Sequence, residues 1–163
     1  MTELDCYQQS SQNFQGLANM STLFLIADIN GARVAIDSEY IESLVRVTDV
    51  IPVPKCHPSV AGLFALRSRV LTLIDSQYLI TGKRETVTKG TLAVVAEIAG
   101  HHFGLLVNSV EDVVSILEKQ IERNIDPPPS WAPFVTATAS VNGEMVMILD
   151  PSQLVNGEEL LAA

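Results

Sequence analysis

The sequence predicts a mainly β fold of small barrels or a sandwich, with few short helices. Val and Ile together account for 30 of the 163 residues and fall in short runs separated by turn residues. β-branched side chains pack well on a pleated surface and lose rotamer freedom in a helix, so such runs favour strands. No long amphipathic segment separates the runs, which excludes the crossover helices of a parallel α/β sheet.

Three hairpins are predicted from turn residues that lie between apolar runs. Two of the turns are Asn-Gly, which suits a tight hairpin because both central residues must adopt positive φ. The predicted pairs are 22–29 with 32–36 around Asn30-Gly31, 91–98 with 102–107 around Ala99-Gly100-His101, and 134–141 with 145–149 around Asn142-Gly143.

The segments between the hairpins are predicted as one short helix, further strands and loops. A helix is expected over 37–44 because Asp37 or Ser38 can cap it, and Ile41 and Leu44 fall at helical spacing. The other expectations are strands at 45–53, 62–66, 70–74 and 112–117, loops at 55–60, 81–90 and 126–130, and a closing helix at 151–155.

The charge balance is acidic and narrows the possible partners. The chain has 10 Lys and Arg against 19 Asp and Glu, a formal charge of −9, so a phosphate backbone would be repelled and no nucleic-acid partner is expected. Half of the basic residues lie between Arg67 and Lys89, which predicts either a basic patch for protein docking or an ordinary solvated turn.

The domain organisation is predicted as one structured unit between two tails. Residues 1–21 are expected to be a flexible polar tail, 22–155 the folded domain, and 156–163 a short C-terminal tail. No run of 18 apolar residues occurs, so direct membrane insertion is not expected. The N-terminus lacks the basic start and apolar stretch of a signal peptide, which favours a cytoplasmic location.

Catalytic signatures are weak. The chain has no Gly-rich phosphate loop and no nucleophile or zinc-protease motif, so the sequence favours a binding module without cofactor or metal. The alternatives are a small β-barrel enzyme, or a barrel that binds an apolar ligand, using Cys56 and His57 or the region of His101 and His102. These residues do not show the paired spacing of ligands along the sequence that is typical of zinc sites.

The sharpest local pattern runs from 62 to 75, where an arginine-containing turn joins two apolar strands and Asp75 follows. This stretch resembles the pattern G-x-x-N-L-R-G-x-x-x-P-x-x-D of the chemotaxis coupling protein family, the CheW family. The resemblance continues in order and spacing over about 22–155. Its other parts lie at 24–44, 103–113, 119–121, 145–150 and Leu154.

The resemblance implies two small five-stranded, SH3-like β-barrels packed together, with an apolar groove between them. It implies no catalysis and no cofactor. The implied function is that of a cytoplasmic adaptor, recruited to membrane-associated chemoreceptor complexes. Such an adaptor couples the receptor's helical tip, held in the groove, to the regulatory domain of the chemotaxis histidine kinase.

The same resemblance assigns site residues one by one. The residues matched to the receptor-facing surface are Arg67, Arg69, Val70 and Leu106. The residues matched to the kinase-facing end are Ile41, Ser43 and Leu44. The apolar residues of the two sets can equally well be interpreted as core positions; they are Ile41, Leu44, Val70 and Leu106.

Several positions depart from the family pattern. Ser43 stands where a glutamate often pairs with the turn arginine. Either Glu39 or Glu42 therefore replaces that partner, or Arg67 is free to bind another protein. The other departures are Ala65 and Ser68 for the Asn and Gly beside the arginine, Thr72 for a proline, and Asn108 for an aspartate.

Overall fold

The computed structural model describes residues 20–84 and 87–155, so most of the predicted tails lies outside the described residues. Eleven strands occur in these ranges: β1 Ser21–Ile29, β2 Ala32–Asp37, β3 Ile41–Arg46, β4 Val60–Leu66, β5 Arg69–Ile74, β6 Leu92–Ile98, β7 His101–Val107, β8 Ser109–Leu117, β9 Ile121–Glu122, β10 Val135–Val141 and β11 Glu144–Leu149. Two short α-helices are α1 Ser76–Thr81 and α2 Pro151–Leu154.

The strands form two sheets, which we call lobe 1 and lobe 2. Lobe 1 has the strand order β8-β1-β2-β11-β10-β9, and lobe 2 has the order β3-β6-β7-β5-β4. Within the described ranges no ladder joins the outermost strands of either sheet, so neither barrel is fully closed; in lobe 2 an isolated bridge between Ile51 and Leu63 joins the chain after β3 to β4. The predicted mainly β fold with two small lobes and few short helices is confirmed. Lobe 1 differs from the expected five strands by the two-residue β9.

All three predicted hairpins form, and in two of them the positive φ falls on Asn-Gly, which tolerates it. Asn30 and Gly31 have φ of 55° and 82°, and Asn142 and Gly143 have φ of 52° and 79°. The turn after β6 is shorter than expected and consists of two residues, 99 and 100, so that His101 already belongs to β7.

The largest hydrophobic cluster lies between the lobes, and each lobe holds a smaller cluster of its own. This inter-lobe cluster includes Leu25, Val34 and Ile36 of lobe 1 and Val94, Phe103 and Leu105 of lobe 2. In β1, Phe24 faces the lobe 1 cluster while Leu25 faces the inter-lobe cluster, because successive strand residues point to opposite sides. β6 is likewise buried on both faces, which explains why these strands are continuous apolar runs.

The predicted helix at 37–44 and the predicted strand at 45–53 are both wrong. Only a single 3-10 turn forms, Ser38–Tyr40, with the Asp37 side chain accepting from the Glu39 N–H. Pairing with β6 overrides the helical spacing, since Ile41 packs on the inter-lobe cluster and Val45 on the lobe 2 cluster. The chain after β3 does not continue as a regular strand, and it meets edge strand β4 only through the isolated bridge between Ile51 and Leu63.

Helix α1 was not predicted, although an aspartate side chain caps its N-terminus, as in helix α2. Asp75 accepts from the Tyr78 N–H at 3.0 Å, and Asp150 accepts from the Ser152 N–H at 3.0 Å. The predicted closing helix is confirmed by α2, which has Pro151 at its first position. Among the described residues, no helix combines the length and apolar character needed to cross a membrane.

The predicted basic patch is divided by the fold. Arg67 and Arg69 lie where β5 begins, whereas Lys83 and Arg84 follow α1 beyond the other end of β5. A six-residue strand is about 20 Å long, so the two groups cannot form one continuous patch. The prediction of a single patch from 67 to 89 is therefore wrong.

Candidate functional site

A cleft of about 480 Å³ opens at one end of lobe 2. It lies between edge strand β3 and the turn that joins β4 to β5. We call this surface the lobe 2 cleft; its lining residues are Glu42, Ser43, Leu44, Val45, Leu66, Arg67, Ser68 and Arg69.

The lobe 2 cleft brings together four of the seven residues that the sequence assigned to partners. Two belong to the kinase-facing set and two to the receptor-facing set; they are Ser43, Leu44, Arg67 and Arg69. Val70 is beside the cleft and 62% exposed. Ile41 packs against the inter-lobe cluster, and Leu106 packs against the lobe 2 cluster and lines a separate cavity, so neither lies in the cleft.

Arg67 occupies an unfavourable backbone position at the mouth of the cleft. It is the first residue of a two-residue turn and has a φ of 57°, although no glycine follows it. Positive φ costs a side chain with a Cβ roughly 1 kcal/mol. Its guanidinium takes part in no ion pair with any described residue. Arg67 is thus an exposed cation in a turn whose conformation is fixed by the pairing of β4 with β5.

The neighbouring arginine is engaged in an ionic network on the wall of the cleft. Arg69 Nη1 lies 2.9 Å from Glu42 Oε2 and 2.9 Å from His102 Nε2. His102 Nε2 also lies 2.9 Å from Glu42 Oε1 and 4.0 Å from Glu97 Oε2. Of the alternatives for Arg67, the structure therefore favours the free arginine, because Glu42 pairs with Arg69 instead.

The network lies on the face of the lobe 2 sheet that carries the lobe 2 cluster. Glu97 is the register partner of His102, so both side chains point to the same face of the sheet. On β6 that face is shared with Val95, a member of the lobe 2 cluster. The sequence did not reveal this network, because its residues come from four separate strands.

The departure at Asn108 is compatible with the fold. Asn108 Oδ1 accepts from the Asn30 N–H at 2.8 Å, and the Asn108 N–H donates to the Asp28 carbonyl at 2.8 Å. A carboxylate could accept the first bond equally well, so this position supports the first hairpin turn with either residue.

The residues of the alternative enzyme hypothesis are not assembled into one site. Cys56 Sγ donates to the Val53 carbonyl at 3.0 Å, while His57 Nδ1 lies 2.7 Å from the hydroxyl of buried Ser59. His101 contacts Phe103 edge to face at 6.4 Å between ring centroids. The one group of described side chains placed to hold a metal is Glu42, Glu97 and His102, which contains neither Cys56 nor His57.

Exposed apolar side chains border the inter-lobe cluster. Val113 is the register partner of Leu25, and Leu23 lies two residues before Leu25, so both share its face of lobe 1. Leu44 is the register partner of Val94 and shares its face of lobe 2. All three are exposed. The sequence missed Leu23 and Val113 because an unbroken apolar run does not show which of its ends is covered.

The comparison with family models decides the classification. The CheW-like domain model matches residues 23–159. The chain belongs to the CheW-like domain family. This confirms the resemblance found in the sequence. CheW-like domains are non-enzymatic adaptor modules of chemotaxis signalling, so family membership also confirms the expectation that the chain is not an enzyme.

Individual CheW proteins are similar over most of their length. The chemotaxis protein CheW of Rhizobium meliloti is 25% identical over 138 residues, which cover 78% of this chain and 86% of that protein. CheW of Klebsiella aerogenes is 22% identical over 158 residues, covering 89% and 93%. The crystal structure of the scaffolding protein TtCheW from Thermoanaerobacter tengcongensis has a TM-score of 0.77 and 23% identity, covering 87% of this chain and 99% of that one.

Proposed function

We propose that this CheW-like chain is a cytoplasmic chemotaxis adaptor that joins chemoreceptor tips to a histidine kinase. The family match over 23–159 supports the chemotaxis context. The lobe 2 cleft is the observation that carries the docking role, because it exposes the apolar side chain of Leu44 and the cation of Arg67, which forms no ion pair with any described residue. The adaptor is recruited to membrane-associated receptors through these contacts and needs no cofactor.

The kinase regulatory domain is the proposed occupant of the lobe 2 cleft. The resemblance assigned Arg67 and Arg69 to the receptor and Ser43 and Leu44 to the kinase, yet one partner covering the cleft touches all four. β3 is an edge strand, and its free backbone groups suit pairing with another β domain. A carboxylate on the partner would pair with Arg67 at the mouth of the cleft.

The receptor's helical tip is the proposed occupant of the inter-lobe margin. A helix docks through an elongated apolar strip, and Leu23 and Val113 supply exposed apolar side chains beside the inter-lobe cluster. Two partners then bind different surfaces at once, which is the property that an adaptor requires.

The test measures binding of the full chain to the kinase regulatory domain and, separately, to a receptor tip fragment from the same organism. Arg67→Glu is expected to weaken kinase binding by tenfold or more, about 1.4 kcal/mol, because it places like charge against the partner's carboxylate. Asn142→Glu, at the matching turn position of lobe 1, is the control and is expected to change kinase binding by less than about twofold.

A second variant separates the two surfaces. Leu23→Asp combined with Val113→Asp is expected to weaken receptor binding and to leave kinase binding intact. If Arg67→Glu weakened only receptor binding, the cleft would belong to the receptor and our assignment would be overturned. If neither partner bound the unmodified chain, the adaptor role itself would be refuted.

A further inference from the structure

Three potential metal ligands meet on the face of lobe 2 that carries the ionic network. They are Glu42 of β3, Glu97 of β6 and His102 of β7, and each offers one donor atom within 4.8 Å of the other two. His102 Nε2 lies 2.9 Å from Glu42 Oε1 and 4.0 Å from Glu97 Oε2. Zinc binds nitrogen and oxygen at about 2.0–2.2 Å, so two donors on one ion lie at most about 4.4 Å apart. A small rotation of the glutamate side chains therefore brings all three donors onto one ion.

The sheet holds these ligands together. Glu97 is the register partner of His102 on the neighbouring strand, so both side chains leave the sheet at the same place. Glu42 lies at the register shift of β3, where the extra residue of a bulge turns its side chain out of the regular alternation. Ligands on strands keep their mutual geometry better than ligands on loops. The backbone thus brings one imidazole and two carboxylates to a single point.

Arg69 already takes the place of a cation in this cluster. Its Nη1 lies 2.9 Å from Glu42 Oε2 and 2.9 Å from His102 Nε2, so it bridges two of the three ligands. Its side chain is 56% exposed and can turn towards solvent. Glu97 has no ion-pair partner other than His102 among the described residues. With a neutral imidazole, one guanidinium balances only one of the two carboxylates, and the cluster keeps an excess of negative charge that attracts a divalent cation.

We propose that Glu42, Glu97 and His102 bind a divalent transition-metal ion such as Zn²⁺, and that Arg69 is the built-in cation that this ion displaces. An imidazole nitrogen with carboxylate oxygens suits zinc, whereas Mg²⁺ and Ca²⁺ prefer oxygen ligands alone. Three protein ligands leave the remaining coordination positions to water.

The ion would change the charge on the wall of the lobe 2 cleft, and this consequence rests on the proposed function. Glu42 and Arg69 both line the cleft. Metal binding neutralises the carboxylate of Glu42 and releases the guanidinium of Arg69, so an acidic surface of the kinase regulatory domain meets more positive charge.

The first experiment titrates Zn²⁺ into the full chain, free of any affinity tag, by isothermal titration calorimetry at about pH 7.5, where imidazole is mostly neutral. His102→Gln should weaken Zn²⁺ binding by about tenfold or more, because a ligand is lost. Arg69→Ala should strengthen it by about threefold to tenfold, because the competing cation is removed. His101→Gln, on the opposite face of the same strand, is the control and should bind Zn²⁺ as the unmodified chain does.

The opposite signs of the two changes separate a metal site from an ion-pair network that only supports the fold. Circular dichroism checks folding, and Glu97→Gln, an exposed change on the neighbouring strand, should reproduce the loss if His102→Gln does not fold. Zn²⁺ binding that survives in His102→Gln, that weakens in Arg69→Ala or that Mg²⁺ matches in affinity would overturn the proposal. The absence of measurable Zn²⁺ binding would overturn it as well.

The second experiment measures affinity for the kinase regulatory domain with Zn²⁺ and with a chelator in its place. We expect roughly threefold to tenfold tighter binding with Zn²⁺, and no such gain in His102→Gln. Unchanged affinity while Zn²⁺ is bound would overturn the effect on docking. A chain that binds Zn²⁺ as expected but binds the kinase domain under neither condition would support the metal site and refute the proposed function.

Discussion

The β4–β5 hairpin of lobe 2 and the β10–β11 hairpin of lobe 1 are built on the same frame. Each has a register shift near its start, between Val60 and Gly62 in one and between Val135 and Ala137 in the other. Each has a two-residue turn and is followed by a short helix that an aspartate caps. The second residue after each turn is an exposed apolar side chain, Val70 at 62% and Met145 at 67%.

The two hairpins differ at their tips. The lobe 1 turn is Asn142-Gly143, which suits positive φ, and Glu144 beyond it forms an ion pair with Arg33. The lobe 2 turn begins with Arg67 at positive φ, and Arg69 follows at the cleft. At their tips, the two hairpins therefore differ in charge and in backbone strain. Backbone strain at a tip whose cation has no ion-pair partner among the described residues is typical of a functional site.

The largest effect on stability is expected at Gly62, which lies at the register shift of the β4–β5 hairpin. Gly62 has a φ of 148°, and a Cβ there would lie 2.5 Å from Val50 Cγ1 and 2.7 Å from the Ile51 carbonyl oxygen. Gly62→Ala should lower the free energy of unfolding by about 3 kcal/mol in urea denaturation. The matched change Ala137→Gly should cost only about 1 kcal/mol. A loss for Gly62→Ala no larger than that for Ala137→Gly would show that the backbone around Val50 and Ile51 relaxes to admit the Cβ.

The second-largest effect is a loss of binding affinity, expected at the exposed apolar residue that follows the lobe 2 turn. Val70→Asp should weaken binding of the kinase regulatory domain by about tenfold, because a buried contact is replaced by a charge that must be desolvated. Met145→Asp serves as the control and should leave that affinity nearly unchanged. Isothermal titration calorimetry distinguishes the two variants. An equal loss for Met145→Asp would mean that both tips dock the same partner.

A smaller effect is expected from exchanging the turn residues. Arg67→Gly should raise the free energy of unfolding by up to about 1 kcal/mol, because glycine adopts positive φ without steric cost. The same variant should bind the kinase regulatory domain less tightly. Asn142→Arg should lose about 0.5–1 kcal/mol of stability without affecting that binding. A gain in stability with unchanged docking would refute the link between strain and function.

The smallest effect on stability is expected from the exposed ion pairs. Arg33 pairs with Glu111 and Glu144 across lobe 1, and Arg69 pairs with Glu42 in lobe 2. Arg33→Ala and Arg69→Ala should each cost less than about 1 kcal/mol, and less still at high salt. Only Arg69→Ala should alter docking. A larger loss of stability would show that the ionic network is a structural element.

The sequence by itself determined the elements whose cause is local. Asn-Gly at 30–31 and 142–143 specifies two hairpin turns because positive φ is a property of those residues, and Asp150 before Pro151 specifies the start of α2. The mainly β fold followed from the short β-branched runs. The family followed from motifs that keep their order along the chain.

Only the tertiary structure decided what depends on which strands are neighbours. Ile41 and Leu44 fit a helix locally, yet pairing with β6 extends the chain because it buries Ile41 on the inter-lobe cluster. Glu42, Arg69 and His102 meet only when β3, β5 and β7 enter one sheet, so no spacing along the chain could indicate their contact. The lobe 2 cleft likewise forms where β3 lies beside the turn between β4 and β5. Its lining residues come from segments that are far apart in the sequence, so only the folded sheet brings them together.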